Sequence, residues 1–315
     1  METAALKRVL QYHIHKKLGS GFAGDLYEAW DSGLDRIVTL RIIRDELAKN
    51  EAFSSQLSTS AFAARELDHP NICRCYGVEE SDEITIAVME YVPGQILRKR
   101  IEKKPYDINQ FLDFAAQISR GLKAIHDCGL THKYITSDNI IISDSGTPKF
   151  MDVSIAPTPD MIRQEDELVA ANKLAYFAPE ILDGHSASVY SDQYTLGIVF
   201  YECLTGNLPF KGVTRRELIE KIGNSRPLDH KKSEIKNGHI VLLINKMIAK
   251  VPSERFTDAE ELITTLKEIE EFSKKGITVT SIKSKGLLKS RIHLMTSLVS
   301  LTIVALWLLF AVFSK

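Results

Sequence analysis

The chain has 315 residues, with 40 Lys+Arg against 41 Asp+Glu and a net charge of −1. That balance excludes a strongly basic nucleic-acid binder, and 17 Gly with 10 Pro exclude a low-complexity chain. With 44% hydrophobic and 26% charged residues, the composition fits one large globular domain or two small ones.

Residues 14–43 spell a strand, a glycine loop, a strand, a turn and a strand. The loop is Gly19-Ser-Gly21-Phe-Ala-Gly24, and Leu26-Tyr-Glu-Ala-Trp30 follows it directly. Such a G-x-G-x-x-G opens a helix in a dinucleotide-binding unit, whereas β-forming residues after it make it a hairpin loop. Its backbone N–H groups either point at phosphate oxygens or merely turn the chain. Glu79 to Val92 reads as a turn and an apolar strand. Phe111, Leu112, Ala115, Ile118, Leu122 and Ile125 then recur at helical spacing. Thr214 with Glu217, and Thr257 with Glu260, form two capping-box patterns ahead of later helices. A β-rich first third and a helix-rich remainder predict an α+β fold of two lobes with a cleft between them. Cysteines 73, 75, 128 and 203 lack zinc-ligand spacing and are expected to be buried reduced thiols.

The tail differs from the body. No acidic residue follows Glu271, while Lys274, Lys275, Lys283, Lys285, Lys289, Arg291 and Lys315 all lie beyond it. Residues 294–313 are 20 in a row without charge, about 30 Å as a helix, which matches the hydrocarbon core of a bilayer. A transmembrane helix over about 292–313 is therefore expected, with 273–291 as a basic juxtamembrane linker. That linker either sets topology or also presses on anionic headgroups. No apolar run marks a signal peptide at the start, and only Ser314 and Lys315 follow the span. The basic flank places the body in the cytoplasm, as a single-pass tail-anchored protein.

Eight motifs in order over residues of about 13–272 resemble the protein kinase superfamily, most of all the bacterial eukaryotic-like Ser/Thr kinases. They are the glycine loop; Val38-Thr-Leu-Arg41 in place of V-A-I-K; His69-Pro-Asn-Ile72; the hinge-like Met89-Glu-Tyr-Val92; His132-Lys-Tyr-Ile-Thr-Ser-Asp-Asn139 in place of H-R-D-L-K-x-x-N; Asp152-Val-Ser154 in place of D-F-G; Ala178-Pro-Glu180; and Asp192 with Arg255. The resemblance implies a bilobal kinase fold, with an N-lobe of about 13–92 and a C-lobe of about 93–272 after an extension of 1–12. It implies ATP at Gly19, Gly21, Gly24, Arg41, Glu90 and Val92, and Mg²⁺ at Asn139 and Asp152. It also implies structural roles for Glu180, Asp192 and Arg255.

The departures are grouped. Arg41 stands for the phosphate-anchoring lysine and Ser60 for its glutamate partner. Tyr134 takes the place of the catalytic aspartate, and a phenol with a reference pKa near 10 is a poor base at pH 7. Thr136 replaces the lysine two residues on, and Lys173 replaces the threonine before Ala178-Pro-Glu180. Lys133 replaces the arginine that would receive a loop phosphate, and Ser154, Thr158 and Tyr176 are misplaced as acceptors, so control by loop phosphorylation is not expected. The pattern reads as a membrane-anchored pseudokinase, a scaffold or nucleotide-sensitive module with a cytoplasmic protein partner. The alternative is an active Ser/Thr kinase or other ATP-dependent transferase with an unusual site.

Overall fold

The computed structural model describes residues 7–275 and 277, apart from 82–83, 154, 156–160, 163–171, 213 and 225–234. Six antiparallel strands form one sheet: β1 (Arg8–Val9), β2 (Tyr12–Ser20), β3 (Gly24–Asp31), β4 (Arg36–Ile43), β5 (Cys75–Glu80) and β6 (Thr85–Glu90), in the order β1-β2-β3-β4-β6-β5. The short α1 (Asp45–Ala48) and then α2 (Glu51–Ala64) follow β4 in the chain. The α2 helix is opened by Asn50, whose side chain accepts from Phe53 N at 3.0 Å.

Strand alternation decides which side chains meet the cleft. Val38 and Leu40 of β4 point into a small core with Val9, Tyr12, Ala29, Ile86 and Val88. Thr39, Arg41 and Ile43 therefore share the opposite face, and all three are buried. The turn between β2 and β3 is shorter than the motif suggests. Gly19 is a strand residue paired with Leu26, and Gly24 already opens β3 opposite Ile43. Gly24 has φ +143°, and a Cβ there would lie 1.8 Å from the Ile42 carbonyl oxygen, so no other residue fits.

The second lobe begins with β7 (Gly94–Ile96), which pairs with β8 (Ile140–Ser143) and through it β9 (Pro148–Phe150). Its helices are α3 (Leu97–Lys103), α4 (Ile108–Asp127), α5 (Pro179–Leu182), α6 (Val189–Thr205), α7 (Arg215–Asn224), α8 (Gly238–Met247) and α9 (Ala259–Lys274). All six periodic residues, Phe111 to Ile125, are buried along α4. They join Phe150, Phe177, Tyr194, Phe200 and Leu262 in the main hydrophobic core. Asp107 caps α4 through a full capping box with Gln110.

Two local expectations need correction. The cap of α9 is Asp258, which accepts from Glu261 N at 2.8 Å, while Thr257 donates to the Glu261 carboxylate. The cap thus lies one residue later than Thr257, because the carboxylate of Asp258 reaches the third N–H of the helix. Of the four free thiols, Cys128 is exposed at the end of α4, while Cys73 and Cys203 are buried. The expected span of 292–313 lies outside the described residues, as does the linker beyond Ile277; the first two linker residues, 273 and 274, are the last turn of α9. Among the described residues, no helix is long and apolar enough to cross a membrane.

Candidate active site

The cleft is built on two strained backbone positions. Lys133 and Asp152 have φ of +73° and +56°, a left-handed region that costs about 1–3 kcal/mol for a residue with a side chain. Asp192 on α6 holds the first one. Its buried carboxylate accepts from the backbone N–H of both His132 and Lys133 at 2.8 Å, and contacts His126 Nε2 at 3.0 Å. Below, Arg255 donates to both oxygens of Glu180 at 2.6 and 2.8 Å, and its side chain is fully buried. A paired, multiply bonded buried charge of this kind avoids the desolvation penalty that a lone one would suffer.

On the acceptor side, Tyr134 is 7% exposed and belongs to the main core. Its ring lies 5.1 Å from that of Phe177, and its hydroxyl donates to the Lys173 carbonyl at 3.4 Å. The Tyr134 carbonyl accepts from Asn139 Nδ2 at 3.0 Å. Thr136 is buried and makes a turn: its carbonyl accepts from Asn139 N at 3.1 Å and its hydroxyl from Asp138 N at 3.3 Å. Tyr134, Thr136 and Lys173 do converge, but as an aromatic contact and a turn.

On the phosphate side, Arg41 is buried, not a surface residue. Its Nε donates to Asp152 Oδ1 at 3.0 Å, one terminal nitrogen pairs with Asp152 Oδ2, and the other donates to the Gly24 carbonyl at 3.1 Å. The guanidinium is thus turned toward Asp152. A Cβ at Gly21 would come within 2.8 Å of that third nitrogen, so the loop rests on the arginine. Gly21 N donates to Gly24 O at 2.9 Å, and Arg44 donates to Gly21 O at 3.0 Å. The remaining cavity is about 210 Å³. Gly21, Arg41, Tyr134, Thr136, Asn139, Asp152 and Lys173 line it, joined by Arg44, which the motifs do not mark.

Mg²⁺ does not fit this donor set. It demands oxygen ligands at about 2.0–2.1 Å in near-octahedral geometry. Both Asp152 oxygens are taken by a guanidinium whose charge would repel the ion, and the Asn139 amide is committed to a backbone carbonyl.

The remaining marked residues lie elsewhere. Glu90 accepts from Lys149 Nζ at 2.7 and 2.9 Å and from Arg74 N at 3.1 Å. Val92 is buried against Cys73 and Met151, with Ile96 and Ile141 beside them. Neither these two nor Gly19 and Gly24 are among the described lining residues of the 210 Å³ cavity.

A network around the buried Tyr176 and Glu202, next to the site, carries no sequence signature. Arg98 of α3 donates to Asp138 at 2.8 and 2.9 Å, to Glu202 at 3.0 Å and to the Tyr176 hydroxyl at 2.8 Å. That hydroxyl donates to Glu202 at 2.7 Å and contacts Ser137 Oγ at 3.1 Å. Burial works against the Arg98 cation, but Tyr176, Asp138 and Glu202 outweigh it and raise its pKa. Burial likewise pushes the Glu202 carboxyl up, against the pull of Arg98. Four segments meet here at sequence separations of 26 to 104 residues, which no local spacing can reveal.

Together, a curled six-stranded lobe, a helical lobe, and a glycine turn above an aspartate at the junction define a bilobal kinase fold. The protein kinase domain family matches residues 12–266, and the chain belongs to that family. A probable serine/threonine-protein kinase of Clostridium acetobutylicum is 30% identical over 268 residues, covering 82% of this chain and 40% of that protein. Serine/threonine-protein kinase PrkC of Bacillus subtilis is 30% identical over 259 residues, again 82% of this chain and 40% of that one. The chain thus spans about 40% of the length of these curated relatives. Among solved structures, the kinase domain of Mycobacterium tuberculosis PknI superposes with a TM-score of 0.69 at 19% identity, covering 84% of this chain and all of that one. Rad53 in complex with AMP-PNP gives a TM-score of 0.65 at 24% identity, over 81% of this chain and 64% of that one. At such identities the likeness concerns the fold alone.

Proposed function

We propose that this kinase-family protein is a pseudokinase: a signalling scaffold or nucleotide-sensitive binding module, anchored in a bilayer by residues 292–313, with its body and a protein partner in the cytoplasm. The observation that carries the reading is Tyr134. Where the family places a carboxylate base, this chain has a buried phenol packed on Phe177. Its ring fills space that an acceptor hydroxyl would need. Loss of a general base alone costs about 10²–10⁴-fold. Here the lysine two residues on is also a turn threonine, and the aspartate across the cleft is held by Arg41. The second reading, an active Ser/Thr kinase or another ATP-dependent transferase, is favoured by the names of the relatives. Phosphoryl transfer depends mostly on positioning and charge stabilisation, which leaves room for it.

The test is label transfer. Full-length chain in detergent, given labelled ATP, Mg²⁺ and generic protein acceptors, is expected to transfer no more label than Asp152→Ala. Tyr134→Asp is not expected to restore transfer, because Thr136, Lys173 and Arg41 remain. Robust wild-type labelling that Asp152→Ala abolishes would sink the pseudokinase reading.

A further inference from the structure

The interlobe cavity carries an arrangement of charge that the family pattern does not contain. Among the described residues, three cationic ones line it: Arg41 from β4, Arg44 just after β4, and Lys173 ahead of α5. Two carboxylates, Asp138 and Asp152, face them. Asp138 is held by both contacts from Arg98, and Asp152 is neutralised by Arg41. Asp152 is thus met by a cation of the chain's own, without any metal. The Gly20s turn (Ser20 to Ala23) forms the roof, and glycine at 21 allows the arginine its close approach.

We propose that this cleft takes a polyphosphate group without a divalent cation, with the Arg41 guanidinium in the place of the metal and with Arg44 and Lys173 contacting phosphate oxygens. A guanidinium bonded to Asp152 offsets the carboxylate charge that would otherwise repel a phosphate, which is part of the service a bridging metal performs between the two. Planar Arg forks suit phosphate oxygens as they suit carboxylates. Pockets for whole drug-sized ligands are about 300–1,000 Å³. A cavity of about 210 Å³ is below that and suits a phosphoryl chain. The proposal deepens the nucleotide-sensitive part of the reading above. It rests on Arg41 and Asp152, not on Tyr134, and its test reads binding, not transfer, so either can fail alone.

The experiment is calorimetric titration of the full-length chain in detergent with ATP and, separately, with inorganic tripolyphosphate, each in excess EDTA and in excess Mg²⁺. Binding is expected in EDTA, and no tighter in Mg²⁺, because the ion offsets the ligand charge that the arginines recognise. Loss of one charge-assisted contact in Arg44→Gln is expected to weaken EDTA binding by about tenfold or more. Arg41→Lys, which keeps the charge but frees one Asp152 oxygen, is expected to lose EDTA binding and to make what remains Mg²⁺-dependent. ATP binding with tripolyphosphate inert identifies a nucleotide as the source of the polyphosphate. Equal binding of both identifies a free polyphosphate, and either result supports the proposal. Binding by the wild type only when Mg²⁺ is present would overturn it, and so would no binding of either ligand in either condition.

Discussion

Arg41 and His132 show how a single position governs this cleft. A lysine at position 41 would offer one point charge, which could serve a phosphate and a carboxylate in turn. Arginine has a fork, and the fork closes on both oxygens of Asp152. One change of residue type thus ties the glycine turn, β4 and the Asp152 segment together. His132 is wholly buried beside Phe150, with ring centroids 5.0 Å apart. Burial pushes its pKa below the ordinary value, although Asp192 and Asp152 pull the other way. The folded protein therefore binds fewer protons at this site than the unfolded chain does. Its stability is complete above about pH 6.5, the unfolded value, and falls as pH drops from there toward the lower folded one. Melting temperature measured between about pH 7.5 and about pH 5 should decline on the acid side, and His132→Gln should flatten that part of the slope. A wild-type profile no steeper than the variant's would show that His132 contributes nothing to acid sensitivity. His69, whose pKa burial also lowers, adds a slope of the same sign to both proteins.

Among the elements, α4 is the most predictable from sequence and the most useful for anchoring the second lobe. Its apolar residues recur with the helical period over 20 residues, and its start carries Asp107 and Gln110 at capping-box spacing. Removing the cap in Asp107→Ala should cost about 1 kcal/mol. Truncating the fully buried Ile118 to Ala should cost about 2–5 kcal/mol, since a cavity is left in the main core. Denaturant midpoints of the two variants should rank in that order, and a reversed ranking would mean that α4 is held by its ends and not by its face. The start of α9 was less legible, because Thr257 and Asp258 are both competent caps. Which one serves depends on where the chain leaves the Arg255 turn, and that is set by the Glu180 contact 75 residues away.

For the molecule as a whole, the proposed membrane anchor makes its own prediction. That proposal rests on the uncharged run of 294–313 and its one-sided basic flank. Full-length protein is expected to resist alkaline carbonate extraction, and a chain truncated after Ser290 is expected to stay in the supernatant. External protease on sealed cells should spare the body. Full-length protein in the soluble fraction would refute the anchor, and digestion of the body from outside would reverse the topology.

The first hairpin strands, the period of α4 and the two-lobed α+β plan are readable from residue patterns, and the kinase motifs from their resemblance to the family. Period-2 and period-3.6 hydrophobicity are local, and the motifs are short runs with a fixed order. The residue types at Tyr134 and Thr136 are readable too, because a residue type can be compared at one position. The fate of the substituted side chains is not. That Arg41 would choose Asp152, 111 residues on, depends on the face of β4 it occupies and on how closely the glycine turn descends. The Arg98–Tyr176–Glu202 network is likewise assembled by packing α3, the Ala178-Pro-Glu180 approach and α6 around one buried hydroxyl. Burial is what makes such pairings obligatory: a charge removed from water must find a partner, and only the packed chain determines which partner lies within reach.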